Sequence, residues 1–122
     1  MQVMGWSEEE VRAAVEAYFK LLEVQQSGGT ANKASIYREL GEKFSRSPKS
    51  FERKFQNISA ILFEQHLPYC DGLKPFHNYQ RLLKLMVLDH LDRSPIPSVE
   101  PHEILFSKLR GLGSVKVSGK GS

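Results

Sequence analysis

Lys49, Arg53 and Gln56 or Asn57 recur at intervals of three and four residues, which on an α-helix gathers them along one side. Lysine and arginine meet phosphates or a guanine edge, and glutamine and asparagine can bond an adenine edge in two places. Lys54 stands beside them, and Arg46, Ser47 and Ser50 lie at the entry to the same stretch. Ser47 is a favoured N-cap and Pro48 fits the first helical position, where the N–H that proline lacks would be unpaired in any case. The free N–H groups and positive dipole end of such a helix can receive a phosphate. This is the composition of a helix that reads duplex DNA, and the reading requires that the exposed side between Ser47 and His66 carry cations free to touch a polyanion.

Other elements must present that helix. Ser7 followed by Glu8, Glu9 and Glu10 has the form of a capping box, in which serine and the third-position carboxylate each satisfy an orphan N–H. Val11, Ala14, Val15, Tyr18 and Leu22 follow at helical spacing until glycine and polar residues break the pattern after Gln25, so a first helix is predicted from about Glu8 to about Val24. Asn32 caps a shorter second helix with Ile36, Tyr37, Leu40 and Phe44 as its stripe; Gly41 inside it costs about 1 kcal/mol relative to alanine and is expected to weaken the last turn. The third helix buries Phe51, Phe55, Ile58 and Leu62, which leaves Lys49, Arg53, Lys54, Gln56 and Asn57 off the stripe. Two helices joined by a short turn around Ser45 and Arg46, with an earlier helix packed across both, make the three-helix form of the helix-turn-helix.

Leu67 to Pro75 reads as a loop, and a fourth helix is predicted from about Asn78, with Asn78 as its cap. It carries Tyr79, Leu82, Leu83, Met86, Val87 and His90, an apolar surface nearly all round that suits a helix central to the core or covered by a partner. Ser94 to Ser98 reads as a linker, Pro101 to Arg110 as a short fifth helix and residues 111–122 as a flexible tail. The expected fold is all-α, a compact bundle of four to five helices with a helix-turn-helix-like core. Residues 1–93 would form a DNA-binding head, and 94–110 the linker and short helix.

Composition narrows the function classes. With 122 residues, 40% hydrophobic and 25% charged, the chain has the make-up of one folded domain rather than a disordered segment. The formal net charge of +3 is unevenly spread: Met1 to Gln25 holds five acids against two bases, and Lys33 to Lys54 seven bases against three acids. Positive charge in mid-chain, Lys33 included, suits a phosphate-facing surface. No apolar run approaches a membrane span, and Met1 to Trp6 lacks the form of a secretory signal, so a cytoplasmic protein is expected. A single cysteine, Cys70, excludes an internal disulfide and any multi-cysteine metal site. His66, His77, His90 and His102 stand alone, and no nucleophile, paired carboxylate or phosphate loop stands out, so no catalytic residue, metal or cofactor is expected.

Trp6-Ser7-Glu8-Glu9-Glu10 and Phe44 to Phe51 resemble the tryptophan start and third-helix entry of Myb or SANT-type domains. A wider set of motifs runs in order from Trp6 to Leu91: Trp6-Ser7-Glu8-Glu9-Glu10-Val11, Ala17-Tyr18-Phe19, Asn32-Lys33-Ala34, Arg46-Ser47 with Ser50-Phe51-Glu52-Arg53-Lys54, Gln56 to Leu62, Asp71 to Pro75, and Asn78-Tyr79-Gln80. Together they resemble the N-terminal head domain of McrA-like, HNH-type modification-dependent (type IV) restriction endonucleases. The resemblance implies a helical module of a bacterial defence protein, placed ahead of domains that read modified bases or phosphorothioate links and of a nuclease domain. This chain lacks the HNH metal site, so cutting is not expected of it.

Each sharp reading has a plain counterpart. Trp6 reads first as a core anchor, and Tyr18, Phe19, Phe44, Phe51 and Phe55 as core. His90 reads as a packing residue, and Cys70 has no visible catalytic partners. Gly72 to Gln80 is first a turn into the fourth helix, although Lys74, His77, Asn78 and Gln80 would extend a DNA footprint or line a small pocket for a base. The DNA-contacting set is then Lys33, Arg46, Ser47, Lys49, Ser50, Arg53, Lys54, Gln56, Asn57, Lys74, His77 and Asn78, with duplex DNA, modified bases included, as partner. The competing class is a protein-interaction module, for instance a homodimer through helix four or the Ile104-Leu105-Phe106 segment.

Overall fold

A computed structural model describes residues 5–96. Four helices make up the bundle, α1 (Glu8–Gln26), α2 (Lys33–Phe44), α3 (Pro48–Glu64) and α4 (Arg81–Arg93), with no strand among the described residues. The expected fifth helix, the tail and most of the linker lie outside them. Among the described residues no helix is long and apolar enough to cross a membrane.

Each of the first three helices starts where its capping residue stands. The Ser7 hydroxyl accepts from Glu10 N–H while the Glu10 carboxylate accepts from Ser7 N–H, at 3.1 and 2.9 Å. Asn32 Oδ1 accepts from Ser35 N–H at 3.0 Å, and Ser47 Oγ from Ser50 N–H at 3.2 Å. α1 runs two residues past its predicted end and is closed by Ser27, after which Gly28 takes a φ of 88°, a conformation open to glycine at little cost.

The core gathers Val11, Tyr18 and Leu21 of α1, Phe51, Phe55, Ile58, Ile61 and Leu62 of α3, and Leu83 and Val87 of α4. Tyr18 is its pivot. Its ring meets Phe55 edge-on at 5.5 Å; its hydroxyl lies 2.8 Å from the buried Ser59 hydroxyl and accepts from Cys70 N–H at 2.9 Å. Every polar atom in that cluster is thereby paired, and the loop at Cys70 is tied to the centre of the bundle. Burial pushes the Cys70 thiol up to about 11, which leaves it protonated at neutral pH and unreactive.

Three expectations about the helices need correction. Gly41 does not weaken α2, which continues to Phe44. Gly41 is buried where the α2–α3 turn crosses it, and a Cβ there would stand 2.5 Å from the Arg46 carbonyl oxygen. The tightness of this three-residue turn, with Ser45 in the left-handed region at φ 56°, requires glycine there. α4 starts three residues later than predicted: Gln80 and not Asn78 occupies the N-cap position, without a side-chain cap. Nor is α4 central. It buries Leu83 and Val87, leaves Leu85 half exposed, and lays His90 flat on Phe19 at 4.2 Å.

Candidate nucleic-acid interface

The structure divides the predicted cations into those consumed by the fold and those left outward. Arg46 is consumed. Its Nε and Nη2 donate to the Glu10 carboxylate at 2.7 and 3.1 Å, Nη2 also donates to the Gly5 carbonyl, and the guanidinium carbon lies 4.3 Å from the Trp6 ring centroid. The Arg46 hydrogen bonds hold the Glu10 carboxyl down at about 2, against the opposing effect of burial. An arginine so engaged with an acid of α1 is a structural clamp, and its expected phosphate contact is withdrawn.

Lys54 is consumed as well. It faces inward and is only 8% exposed; its ammonium sits 4.4 Å from the centroid of the same Trp6 ring and donates to Gln80 Oε1 at 3.3 Å. Burial, assisted by the positive charge of Arg46, pulls its pKa down to about 8. Trp6, met edge-on by Phe51 at 4.7 Å, is thus the core anchor the sequence suggested, and it carries two cations in addition.

Asn57 is the third correction. It was expected to reach an adenine edge, yet it is buried, and its Nδ2 donates to the carbonyls of Phe76 and Asn78 at 2.7 and 3.2 Å. Phe76 N–H in turn donates to the Gln56 carbonyl at 3.1 Å. The stretch before α4 therefore lies against α3 between Arg53 and Glu64. Gln56 is half-buried there. The hydroxyls of Ser47 and Ser50 bond one another's backbone at the start of α3, so their first task is to begin the helix.

What stays outward is a smaller set. Lys49 and Arg53 are exposed on the first two turns of α3, and Arg38 is exposed on α2. Arg38, Pro48, Lys49 and the acid Glu52 line one shallow groove of about 320 Å³ between α2 and the start of α3. Among the described residues neither Arg38 nor Arg53 has a carboxylate within ion-pair distance, and Lys49 has only a long, exposed contact of 3.8 Å to Glu52. Such exposed pairs are worth little and yield readily to a phosphate.

The structure also joins two regions that sequence left separate. Arg53 lies over the Phe76 ring, its guanidinium carbon 4.4 Å from the centroid, so the loop of Lys74, His77 and Asn78 borders the outward face of α3. Lys74, His77 and Asn78 are exposed, although the His77 ring is engaged with the Glu64 carboxylate at 2.8 Å. Lys33 sits elsewhere, with its ammonium beside Gly72. Among the described residues no cluster of His, Cys, Asp or Glu has the size of a metal site.

Sequence reasoning passed over Arg38 and Phe76. Arg38 counts in the basic run but falls on α2, and only the packing of α2 on α3 places it beside Lys49. Phe76 has no periodic signal in its loop. No protein-family model, curated protein or solved structure matches the chain.

Proposed function

We propose that this chain is a non-catalytic DNA-binding module that grips duplex DNA with Lys49 and Arg53 of α3 and Arg38 of α2. The reading takes α2 and α3 as a helix-turn-helix, in which the N-terminal part of the second helix meets a groove and the helix before it meets the backbone. The resemblance noted in the sequence supports reading it as the head domain of a modification-dependent restriction endonuclease. The observation that carries the reading is the groove shared by Arg38 and Lys49, which Glu52 also lines, with Arg53 one turn further along α3 and, among the described residues, no acid paired to either arginine. The footprint is smaller than composition suggested, because Arg46, Lys54 and Asn57 are engaged inside the fold.

Duplex binding by the wild type and by Lys49→Ala/Arg53→Ala at two or more salt concentrations tests it. Each lost phosphate contact lowers the slope of log affinity against log salt by about one. Unchanged affinity and slope in the double variant would remove α3 from the interface.

One observation favours a protein-docking reading. α1 and α2 enclose an apolar groove of about 400 Å³ lined by Ala17, Leu21, Val24, Ile36 and Leu40, a lining suited to a partner's apolar side chains. Light scattering with heparin chromatography separates the two: a dimer that ignores heparin supports assembly, and a monomer retained to high salt supports DNA.

A further inference from the structure

Arg53, Gln56 and Phe63 fall on one face of α3 by the 3.6-residue period. Phe63 is 54% exposed, the most exposed of the large hydrophobic side chains described, and Phe76 is also exposed. Phe76 is held in place from both sides of its peptide unit, its N–H by the Gln56 carbonyl and its own carbonyl by the buried Asn57 amide. The Arg53 guanidinium lies on its ring. Phe63 is flanked edge-on by His77 at 5.9 Å and by Tyr69 at 6.3 Å. Two aromatic positions with ordered neighbours, one carrying a guanidinium that has no acid partner among the described residues, thus stand beside the cations proposed to hold the DNA backbone.

Flat aromatic and guanidinium surfaces of this kind stack on the faces of unpaired bases, an interaction tolerant of sequence because every base has a π-face. Glu64, an acid beside them, is occupied: it accepts from the Tyr79 hydroxyl at 2.5 Å and meets His77 Nδ1 at 2.8 Å. From Arg53 to Phe63 the helix rises roughly 15 Å, about four base steps at 3.4 Å each.

We infer that the Arg53–Phe76 stack and Phe63 form a platform for unpaired nucleobases adjoining the duplex grip, so that the module binds a duplex with an unpaired segment more tightly than a fully paired one. The inference rests on the proposed DNA-binding function and adds the form of DNA selected.

The test compares, for the full chain, a blunt duplex with the same duplex carrying a single-stranded overhang of about four nucleotides. Fluorescence anisotropy at fixed salt reads affinity, and thermal melting checks the fold of each variant. The wild type should bind the overhang duplex more tightly by about 5-fold or more. Phe63→Ala should remove about 5-fold or more of that advantage with blunt-duplex affinity unchanged; Phe76→Leu, whose ring seats Arg53, should lower overhang affinity by more than blunt-duplex affinity, while Arg53→Ala weakens both. A wild type that binds both duplexes equally overturns the platform and leaves the DNA-binding reading standing, and this comparison needs no variant to fold. Loss of equal size on both duplexes in the phenylalanine variants overturns it likewise. Absence of salt-dependent binding to either duplex overturns the DNA-binding reading and the platform with it.

Discussion

Arg46 and Glu10, thirty-six residues apart in sequence, meet through two hydrogen bonds of 2.7 and 3.1 Å. The pair fastens the α2–α3 turn to the first turn of α1, and Trp6 lies under the arginine. The acid that completes the α1 capping box is thus also the acid that neutralises the turn.

Arg46→Ala should therefore act on stability and not on DNA binding. The Glu10 carboxyl, held at about 2 in the folded chain against an ordinary 4.5, contributes stability that is fully present above the ordinary value and is lost as pH falls from there towards 2. The loss at neutral pH should be about 1–2 kcal/mol, moderated by water at the edge of the pair. Urea unfolding at neutral pH and at pH near 3 measures it: the gap between wild type and variant should narrow in acid. The salt slope of duplex binding should stay at its wild-type value. A fall of about one in that slope would return Arg46 to the interface.

Lys54→Met should cost little at neutral pH and raise stability if methionine packs well against Trp6. The folded chain holds this lysine at about 8 and the unfolded chain at the ordinary 10.5. Between those values the unfolded chain binds a proton that the folded chain has released, so stability rises with pH across the window. Below it, the buried charge costs about 1–3 kcal/mol. The difference between wild type and Lys54→Met should accordingly shift in favour of the wild type as pH increases from 7 to about 9. A pH-independent difference would show that the ammonium carries no burial penalty.

Asn57→Ala should free the stretch before α4. Two carbonyls, those of Phe76 and Asn78, lose their shared donor, at a cost of about 1–3 kcal/mol for a buried polar group's partners. Hydrogen exchange at the Phe76 amide, which donates to the Gln56 carbonyl, should speed up more than exchange in the α1 core around Tyr18. Equal acceleration at both places would mean global destabilisation rather than release of the loop.

The same residue shows why the bundle was legible in the sequence and the interface only in part. Capping and apolar period are local signals, and Ser7, Asn32 and Ser47 cap the helices as their sequence context predicts. Lys54 and Asn57 lie off the four-residue stripe of α3, which reads as exposure when one neighbouring surface is assumed. α3 has several: α1 and α2, then Trp6 and the 76–80 stretch, cover sides that the stripe leaves open. Arg46 failed as a phosphate contact for a related reason, since its acid partner lies in a distant helix. Lys49 and Arg53 kept their predicted exposure, although Arg53 also rests on Phe76 of the stretch before α4.

Gly41→Ala separates local propensity from tertiary packing most sharply. In an exposed helix interior the change would stabilise by about 1 kcal/mol. Here the added methyl would stand 2.5 Å from the Arg46 carbonyl oxygen and 3.4 Å from Pro48 N, both backbone atoms. A side chain could rotate away, but the turn cannot without moving Ser45 out of the left-handed conformation it holds and disturbing Arg46 N–H, which donates to the Gly41 carbonyl at 2.9 Å. Net destabilisation on the order of 1–3 kcal/mol is expected, as for overpacking elsewhere. Because the turn sets Arg46 on Glu10 and Ser47 at the head of α3, the variant should also lose part of the acid sensitivity attributed to Glu10. Thermal melting at neutral and acid pH checks both, and a raised midpoint would mean that α2 and the turn are not packed this closely.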